Sequence, residues 1–445
     1  MKKVITYGTY DLFHYGHRRL LERAKALGDY LIVGVTADGF DQARGKINVQ
    51  QSLMERIEAV KATGLADEIV VEEYEGQKID DIKRFDIDVF TVGSDWEGHF
   101  DYLKEYCEVI YLDRTQGVSS TEIRSEERTL RIGLLGELPA LDKFRKECEY
   151  VNGATISGVY SLDNRLLSQK LKALPNFDDY QQLLDVSDAV YIYSNSNYHF
   201  EQALLALNNN KHVLCESPLA LSTKQWEELK QAAKDHNVVL MDSIKTAYST
   251  AYYRLLLLVK SGIIGEVVTV DSICTSQSNL LMSKEENFPY IWNSMSEWGA
   301  TAMLPIFQLM GTDYINKIIT TRIQKGTENF DLFTKIAFIY PHGVASMKIG
   351  QGVKSEGELI ISGTKGYIYV PAPWWKTDFF EVRYENPSNN KRYFYQLEGE
   401  GIRYEIVSFL KSIHRGTDYH YIDDDISQAI VQVMQDFIEK KYITI

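Results

Sequence analysis

Long apolar runs are missing from this 445-residue chain. A membrane-spanning helix needs ~20 such residues in a row. The richest stretch, "YYRLLLLVK", is short and flanked by charge, so no membrane insertion is expected. Cysteine is scarce as well. The four thiols Cys107, Cys148, Cys215 and Cys274 form no CxxC pair, which excludes a recognisable zinc site and points to reduced thiols in a cytoplasmic protein. Positive charge is in deficit, with 48 Lys and Arg against 62 Asp and Glu and a net charge of −14. That excludes a general binder of nucleic acid or anionic membrane and leaves room for local basic pockets that hold phosphate. The start "MKKVITYGTYDLF" has a basic beginning but no small-residue cleavage pattern, and its apolar part reads as a strand. There is no internal repeat and no low-complexity tract. A chain this long exceeds one compact core, and three domains are expected.

Strand and helix alternate at a short period through the first ~125 residues, as parallel α/β units do. "KKVITYG", "YLIVGVTAD", "DEIVVEE", "DVFTVGSDW" and "CEVIYLD" read as strands. "HRRLLERAKALG" places Leu20, Leu21, Ala24 and Leu27 on one helical face, with Gly28 positioned to end it. "SLMERIEAVKATG" and "IDDIKRFD" are further helices, and a last short one starts near "SSTEIRSEE". The pattern predicts a small doubly wound parallel sheet. Near residue 130 "LRIGLLGEL" restarts the alternation, with strands "ATISGVYS", "AVYIYSNS", "KHVLCESP" and "NVVLMDS". From about residue 265 Tyr, Thr, Ile and Val dominate longer alternating strands such as "EVVTVDSICTS" and "TKIAFIYPHGVASMKIG". These predict a largely antiparallel open sheet.

The first candidate site is "GTYDLFHYGH", Gly8 to His17. A strand ends, a tight turn follows, and a helix begins near His17. Free N–H groups and the positive dipole end of a helix start suit an anion. His14 and His17, three apart, can donate into one pocket. Two rival readings exist: a metal pair, which lacks a third nearby ligand, and two unrelated turn histidines. Two further elements favour phosphate. "RTQGVSSTEI" follows the last strand with Arg114, Gly117 and the helix-cap hydroxyls of Ser119, Ser120 and Thr121. "DQARGKINV" puts Arg44 and Lys46 in the loop after the second strand. Three anion-handling elements at the ligand-binding edge of one sheet imply a nucleoside triphosphate.

On these motifs residues 1–127 resemble the glycerol-3-phosphate cytidylyltransferases of the HxGH nucleotidyltransferase superfamily. The resemblance implies that His14 and His17 contact the triphosphate and stabilise the transition state, with Lys46 and Arg114 as further catalytic cations. It carries over a nucleotide-binding set of Thr9, Tyr10, Asp11, Gly16, Arg44, Asp95, Thr115, Gly117, Ser119, Ser120 and Thr121. CTP, Mg²⁺ and a small polyol phosphate are the implied ligands, and no protein-held metal site is expected. Two positions depart from the family: Gly64 stands where it often has arginine, and Ser94 where it has aspartate. Both bear on which acceptor is used.

"YSNSNYHFEQALLALNNNKHVLCESPLALS" and "MDSIKTAYSTAYYRLLLLVKSGIIGEVVTVDS" resemble the Gfo/Idh/MocA oxidoreductases. That implies a Rossmann NAD(P)-binding domain over 128–246 and an α+β substrate or oligomerisation domain over 247–445. The implied cofactor-lining residues are Gly133, Gly136, Ser161, Arg165, Ser194, Ser196, His199, Glu216 and Pro218. "RIGLLGELPAL" keeps only two glycines of the GxGxxG pattern, which a plain strand and turn would also explain. Ser161 stands where an acidic residue would hold the NAD ribose, and with Arg165 nearby the balance tilts toward NADP. The family's EKP lysine is Ser217 here. Its DxGxH segment corresponds to "SEWGAT", which puts Glu297 and Thr301 at the aspartate and histidine. Hydride reduction of a ketone needs a proton donor; Lys245 is the first substitute and Tyr248 the second, with a surface salt bridge as the alternative role for Lys245. Together the resemblances imply a bifunctional enzyme that makes CDP-activated alditols for cell-surface polymers such as teichoic acid or capsule, acting on a keto-sugar or ketose phosphate in its second half. The other reading is a cytidylyltransferase with an inactive, regulatory or dimerising module. A homo-oligomer, dimer or tetramer, is expected.

Overall fold

The computed structural model describes residues 1–37, 51–73, 76–113, 129–136, 140–151, 153–277, 293–325, 330–395, 397, 399–415 and 421–445. The chain divides into two compact units, Met1–Arg128 and Thr129–Ile445.

In the first unit five strands, β1 (Lys3–Gly8), β2 (Tyr30–Thr36), β3 (Glu68–Glu72), β4 (Val89–Gly93) and β5 (Glu108–Leu112), form one sheet in the order β3-β2-β1-β4-β5. All four pairings are parallel. Val4, Ile5, Leu31, Ile32, Val33, Val89 and Phe90 are buried, as expected of central strands covered on both faces. The helix Tyr15–Lys25 buries Leu21 and Ala24. It stops at Ala26, just short of Gly28, where a side chain would collide with the Lys2 carbonyl. The helix Leu53–Lys61 opens on a capping box in which Ser52 and Glu55 satisfy each other's backbone N–H. The helix expected near "SSTEIRSEE" lies outside the described residues. Strand order reverses between β1 and its neighbours β2 and β4. The carboxyl ends of these strands are therefore where a ligand is expected to sit.

The second unit begins with six parallel strands, β6 (Leu130–Gly136), β7 (Ala154–Tyr160), β8 (Asn176–Phe177), β9 (Ala189–Tyr193), β10 (His212–Glu216) and β11 (Leu240–Ser243), in the order β11-β10-β9-β6-β7-β8. This is the doubly wound order of dinucleotide-binding folds. The helix Thr250–Lys260 then leads into β12 (Val267–Thr275) and a nine-stranded sheet with β13 (Asn316–Ile323), β14 (Asp331–Tyr340), β15 (Gly343–Gly350), β16 (Leu359–Gly363), β17 (Tyr367–Val370), β18 (Phe379–Arg383), β19 (Lys391–Phe394) and β20 (Ile443–Thr444). Most pairings are antiparallel, as expected. Two are parallel, β12 with β15 and β13 with β20. Sequence alternation cannot foresee these, because the helix Ser294–Met310 falls between β12 and the β13-β14-β15 meander. One cluster of buried side chains runs from Ile132 and Leu134 of β6 through Tyr248, Tyr252 and Leu255 to Phe338, Met347 and Ile361. The two sheets of this unit therefore share a core.

Candidate functional site

The turn after β1 is built under strain. Tyr10 and Leu12 both take left-handed backbone conformations, at φ 54 and φ 48, each costing on the order of 1–3 kcal/mol. Both side chains are 1% exposed, and their burial offsets that cost. Gly8 is needed here, since a Cβ would press on the Tyr10 ring at 3.0 Å. The turn is also tied across the sheet edge. Asp11 Oδ1 accepts the Gln51 N–H at 2.9 Å, and Gln51 Oε1 accepts the Phe13 N–H at 3.4 Å.

This scaffold orients the histidine pair. His14 caps the helix Tyr15–Lys25, its Nδ1 accepting the Gly16 N–H at 3.1 Å. His17 closes the box, with Nδ1 accepting the His14 N–H at 3.4 Å. An Nδ1 that accepts is unprotonated, so in each neutral ring the proton sits on Nε2. The rings stack at 3.9 Å between centroids and 19° between planes. Tyr10 meets the His17 ring edge-on at 5.5 Å, and Phe13 lies 5.6 Å from it. Burial lowers the His14 pKa below its usual value. The result is two directional N–H donors beside a helix N-terminus, an arrangement that receives phosphate oxygens.

Several residues of this edge escape a reading of the sequence. Arg56 is fully buried. Its guanidinium donates to the carbonyls of Thr9 (2.7 Å), Thr36 (2.8 Å) and Gln51 (3.1 Å), pinning together the segments that leave β1 and β2. Its place three residues after Leu53 and four before Val60, on the apolar face of its helix, was the available signal. A pocket at the same edge is lined by Thr9, Thr36, Glu72, Lys78, Trp96 and Phe100 among others. Lys78 forms a buried ion pair with Glu72 and sits 4.7 Å from the centre of the Tyr7 ring. Glu72 also accepts from Thr36 Oγ1 at 2.9 Å. Thr9 thus joins both the pocket and the Arg56 clamp, and Gly16 supplies the N–H that orients His14. Asp95 lies exposed in the turn Ser94–Trp96. Gly64 stands at φ +67 in open space. Arg44, Lys46, Arg114, Thr115, Gly117, Ser119, Ser120 and Thr121 lie outside the described residues. Among the described residues no group of His, Cys, Asp or Glu is arranged to hold a metal.

In the second unit Gly133 and Gly136 of β6 are both demanded by packing. A Cβ at Gly133 would collide with Ser187 and Leu183, and one at Gly136 with the Tyr193 carbonyl. Gly136, at φ +134, leaves bare backbone where the strand order reverses, which fits the close approach of a dinucleotide. Past the end of β7, Ser161 Oγ accepts the Asp163 N–H at 3.1 Å. Asp163 grips Arg165 through both oxygens, and Arg165's hydrogen bonds hold the Asp163 carboxyl down at about 2. An ionised carboxylate therefore stands beside Ser161, just past the end of β7. The sequence reading placed only Ser161 and Arg165 there.

His199 is fully buried, with Nδ1 2.8 Å from the Pro218 carbonyl oxygen and Nε2 2.9 Å from that of Ser194. It straps the end of β9 to the segment after β10. Ser194 Oγ donates to Gln202, and Ser196 Oγ to Ser296 at 3.4 Å. Glu216 ends β10, accepting from Tyr191 OH at 3.2 Å and Ser243 Oγ at 3.3 Å. Burial pushes its carboxyl up to about 8. Asp242 is pushed to about 6 by burial against the donated hydrogen bond from Ser427, and burial also raises Glu297 and Glu405. Lys245 is half-buried and paired with Glu400 at 2.8 Å. Tyr248 is buried, and burial raises its pKa far above the ordinary phenol value.

No helix among the described residues is long and apolar enough to cross a membrane. A cytidylyltransferase-like family model matches residues 5–126, and a model of the oxidoreductase family with an NAD-binding Rossmann fold matches residues 141–243. The glycerol-3-phosphate cytidylyltransferase of Bacillus spizizenii is 54% identical over 130 residues, which span 29% of this chain and 100% of that protein. The scyllo-inositol 2-dehydrogenase (NADP(+)) of Bacillus subtilis is 37% identical over 131 residues, 28% of this chain and 40% of that protein. A solved 3-ketoreductase from Actinomadura kijaniata, in complex with NADP and TDP-benzene, matches with a TM-score of 0.63 at 15% identity, covering 72% of this chain and 99% of that one; a likeness at that identity speaks for the fold. Through its first unit the chain belongs to the glycerol-3-phosphate cytidylyltransferase family, and its second unit carries an oxidoreductase domain of Gfo/Idh/MocA type.

Proposed function

We propose that the first unit transfers CMP from CTP to glycerol 3-phosphate, releasing pyrophosphate and forming CDP-glycerol. The observation that carries this is the pair of Nε2–H donors that the His14 and His17 capping box fixes at the helix start. A phosphomonoester has a second pKa of ~6, so at pH 7 the acceptor is already a nucleophile and needs no general base. One of its oxygens attacks the α-phosphorus while the bond from that phosphorus to the bridging oxygen of the β-phosphate breaks. The imidazole donors and the helix N-terminus meet the negative charge that grows on those oxygens. Arg114, Lys46, Arg44 and the Ser119–Thr121 hydroxyls would hold the departing pyrophosphate, and Mg²⁺ would accompany the triphosphate. Pyrophosphate release should require CTP and glycerol 3-phosphate together. Release with ATP in preference to CTP would overturn the assignment.

The second unit is read as an NAD(P)-dependent reductase that forms the polyol precursor from a ketose phosphate, feeding a pathway of CDP-alditols for surface polymers. Residues 128–246 would carry the dinucleotide and 247–445 the substrate face and oligomer contact, with 1–127 as the transferase. The bare backbone at Gly136, the Asp163 carboxylate beside Ser161, and Glu216 fit a dinucleotide, which would supply hydride when bound. Two observations favour an inactive module instead: Ser217 replaces the family's lysine, and Lys245 is held by Glu400. Following nicotinamide absorbance with NADPH and dihydroxyacetone phosphate separates the two. No turnover with any small ketose and no thermal shift with either dinucleotide would establish the module.

A further inference from the structure

The segment Gly399–Gly401 brings one carboxylate among three lysines from three parts of the second unit. Lys143 comes from the helix Ala140–Cys148 after β6, Lys245 from the turn after β11, and Lys376 from the turn before β18. Their ammonium groups lie 3.2 Å, 2.8 Å and 2.7 Å from Glu400 oxygens. These four side chains carry a net charge of +2. Of the neighbouring acids, Glu147 lies against Gly399 and is taken up by Arg403 at 3.0 Å, while burial raises Glu216, Glu297 and Glu405 and Lys245 acts against that rise. Part-exposed ion pairs add little to folding, and gathering three like charges has a cost of its own. The backbone is shaped for the delivery. Gly399, Glu400 and Gly401 are all left-handed, at φ 57, 55 and 93, and a glutamate takes that conformation only under constraint. Lys245 follows the carboxyl end of β11, on the edge of the sheet where doubly wound folds bind ligands.

We infer that Lys143, Lys245 and Lys376 form a binding site for a phosphate monoester, and that Glu400 is an internal surrogate which the phosphoryl group displaces. A dianion satisfies three ammonium groups better than one carboxylate does. The inference rests on the reductase reading only for the ligand's purpose: the ketone substrate would be phosphorylated, like the acceptor of the first unit. A dinucleotide diphosphate shares this chemistry. Lys245 and Lys376 argue for the substrate, since β11 lies at the sheet edge opposite β7, where the ribose would bind.

Hydrogen–deuterium exchange of the full chain tests this, with inorganic phosphate, glycerol 3-phosphate and NADPH as separate probes. Phosphate and glycerol 3-phosphate should each raise exchange at Gly399–Gly401. Glu400→Gln should show raised exchange without ligand, and should respond at about tenfold lower phosphate, as expected when one competing charge contact is removed. Lys143→Met combined with Lys376→Met should abolish the response while exchange protection of β6, β9 and β12 stays as in the unsubstituted protein, showing that the second unit is folded. Silence at Gly399–Gly401 with both phosphates would overturn the inference. So would a response to NADPH alone, which would assign the lysines to the dinucleotide. NADPH oxidation is read independently by absorbance, so a phosphate-responsive segment without turnover would reject the reductase and keep the site.

Discussion

Replacing His14 separates two jobs that its imidazole performs with different atoms. Nδ1 accepts the Gly16 N–H at 3.1 Å and caps the helix, while Nε2–H faces away from the cap and is assigned to phosphate. Asparagine is among the best N-cap residues, and losing a cap to alanine costs ~1 kcal/mol. His14→Asn should therefore keep the helix Tyr15–Lys25 as stable as before, and His14→Ala should loosen it by about 1 kcal/mol. Losing one donor aimed at transition-state charge costs ~10²–10³ in kcat, and both variants should show that loss. His17→Gln extends the comparison, because glutamine can still accept the His14 N–H as the third helical residue of a capping box does. Exchange protection of the helix amides in urea gives the stability, and pyrophosphate release from CTP and glycerol 3-phosphate gives the rate. A His14→Asn protein keeping a third or more of the activity would refute the donor role. Activity that followed helix stability across the three variants would reduce both histidines to caps.

Arg56→Met removes donors from the carbonyls of Thr9, Thr36 and Gln51; each buried carbonyl left unsatisfied costs ~1–3 kcal/mol, a higher KM for CTP should accompany the loss, and urea titration showing less than ~1 kcal/mol would contradict the clamp. Glu216 stays protonated up to about 8 in the folded protein while its unfolded form ionises near the ordinary carboxyl value. Between those values the folded state binds the extra proton, so this group lowers stability as pH rises, by ~1.4 kcal/mol per pH unit; Glu216→Gln should flatten the wild-type dependence of urea midpoint on pH, and parallel curves would show the carboxyl to be solvated. Asp163→Ser should free the Arg165 guanidinium for a 2′-phosphate, raising the thermal shift from NADPH relative to NADH, and an unchanged ratio would place the ribose elsewhere.

How much of this could be read from the residues depended on how local the signal was. β1, β2 and β4 announce themselves as apolar runs, and the HxGH turn follows one of them within a few positions. The cap formed by His14 and His17 spans a single helical turn. Arg56 and Lys78 were hidden for a different reason. A charged residue in an amphipathic helix reads as solvated, and only the tertiary fold reveals carbonyls or a carboxylate waiting inside. Asp163 is unreadable from sequence for another reason: its carboxylate returns through the turn after β7 to hold Arg165. The Glu400 cluster joins residues from helix, strand end and loop, up to 257 positions apart, with no periodicity to link them. The parallel pairing of β12 with β15 was likewise unreadable, since alternation fixes which face a residue takes and says nothing of strand direction.

Stacking two imidazoles at 3.9 Å also constrains what charge the transferase site can hold. Two unit charges at that separation would repel by about 4 kcal/mol at an effective dielectric of 20, and burial already lowers the pKa of His14. Without a bound anion, charging both rings at once is therefore disfavoured. Fixed positive charge is then left to the proposed Arg44, Lys46 and Arg114, while the imidazoles supply directed N–H bonds that need no charge of their own. Activity should then hold level as pH rises from neutrality, because neutral rings remain donors at Nε2. On the acid side it should fall as the acceptor phosphate takes up its second proton, near its pKa of ~6. A rate that instead declined through pH 7 to 8, with the ionisation suppressed in His14→Asn, would mean that a charged imidazolium is required and that the neutral-donor account of this pair is wrong.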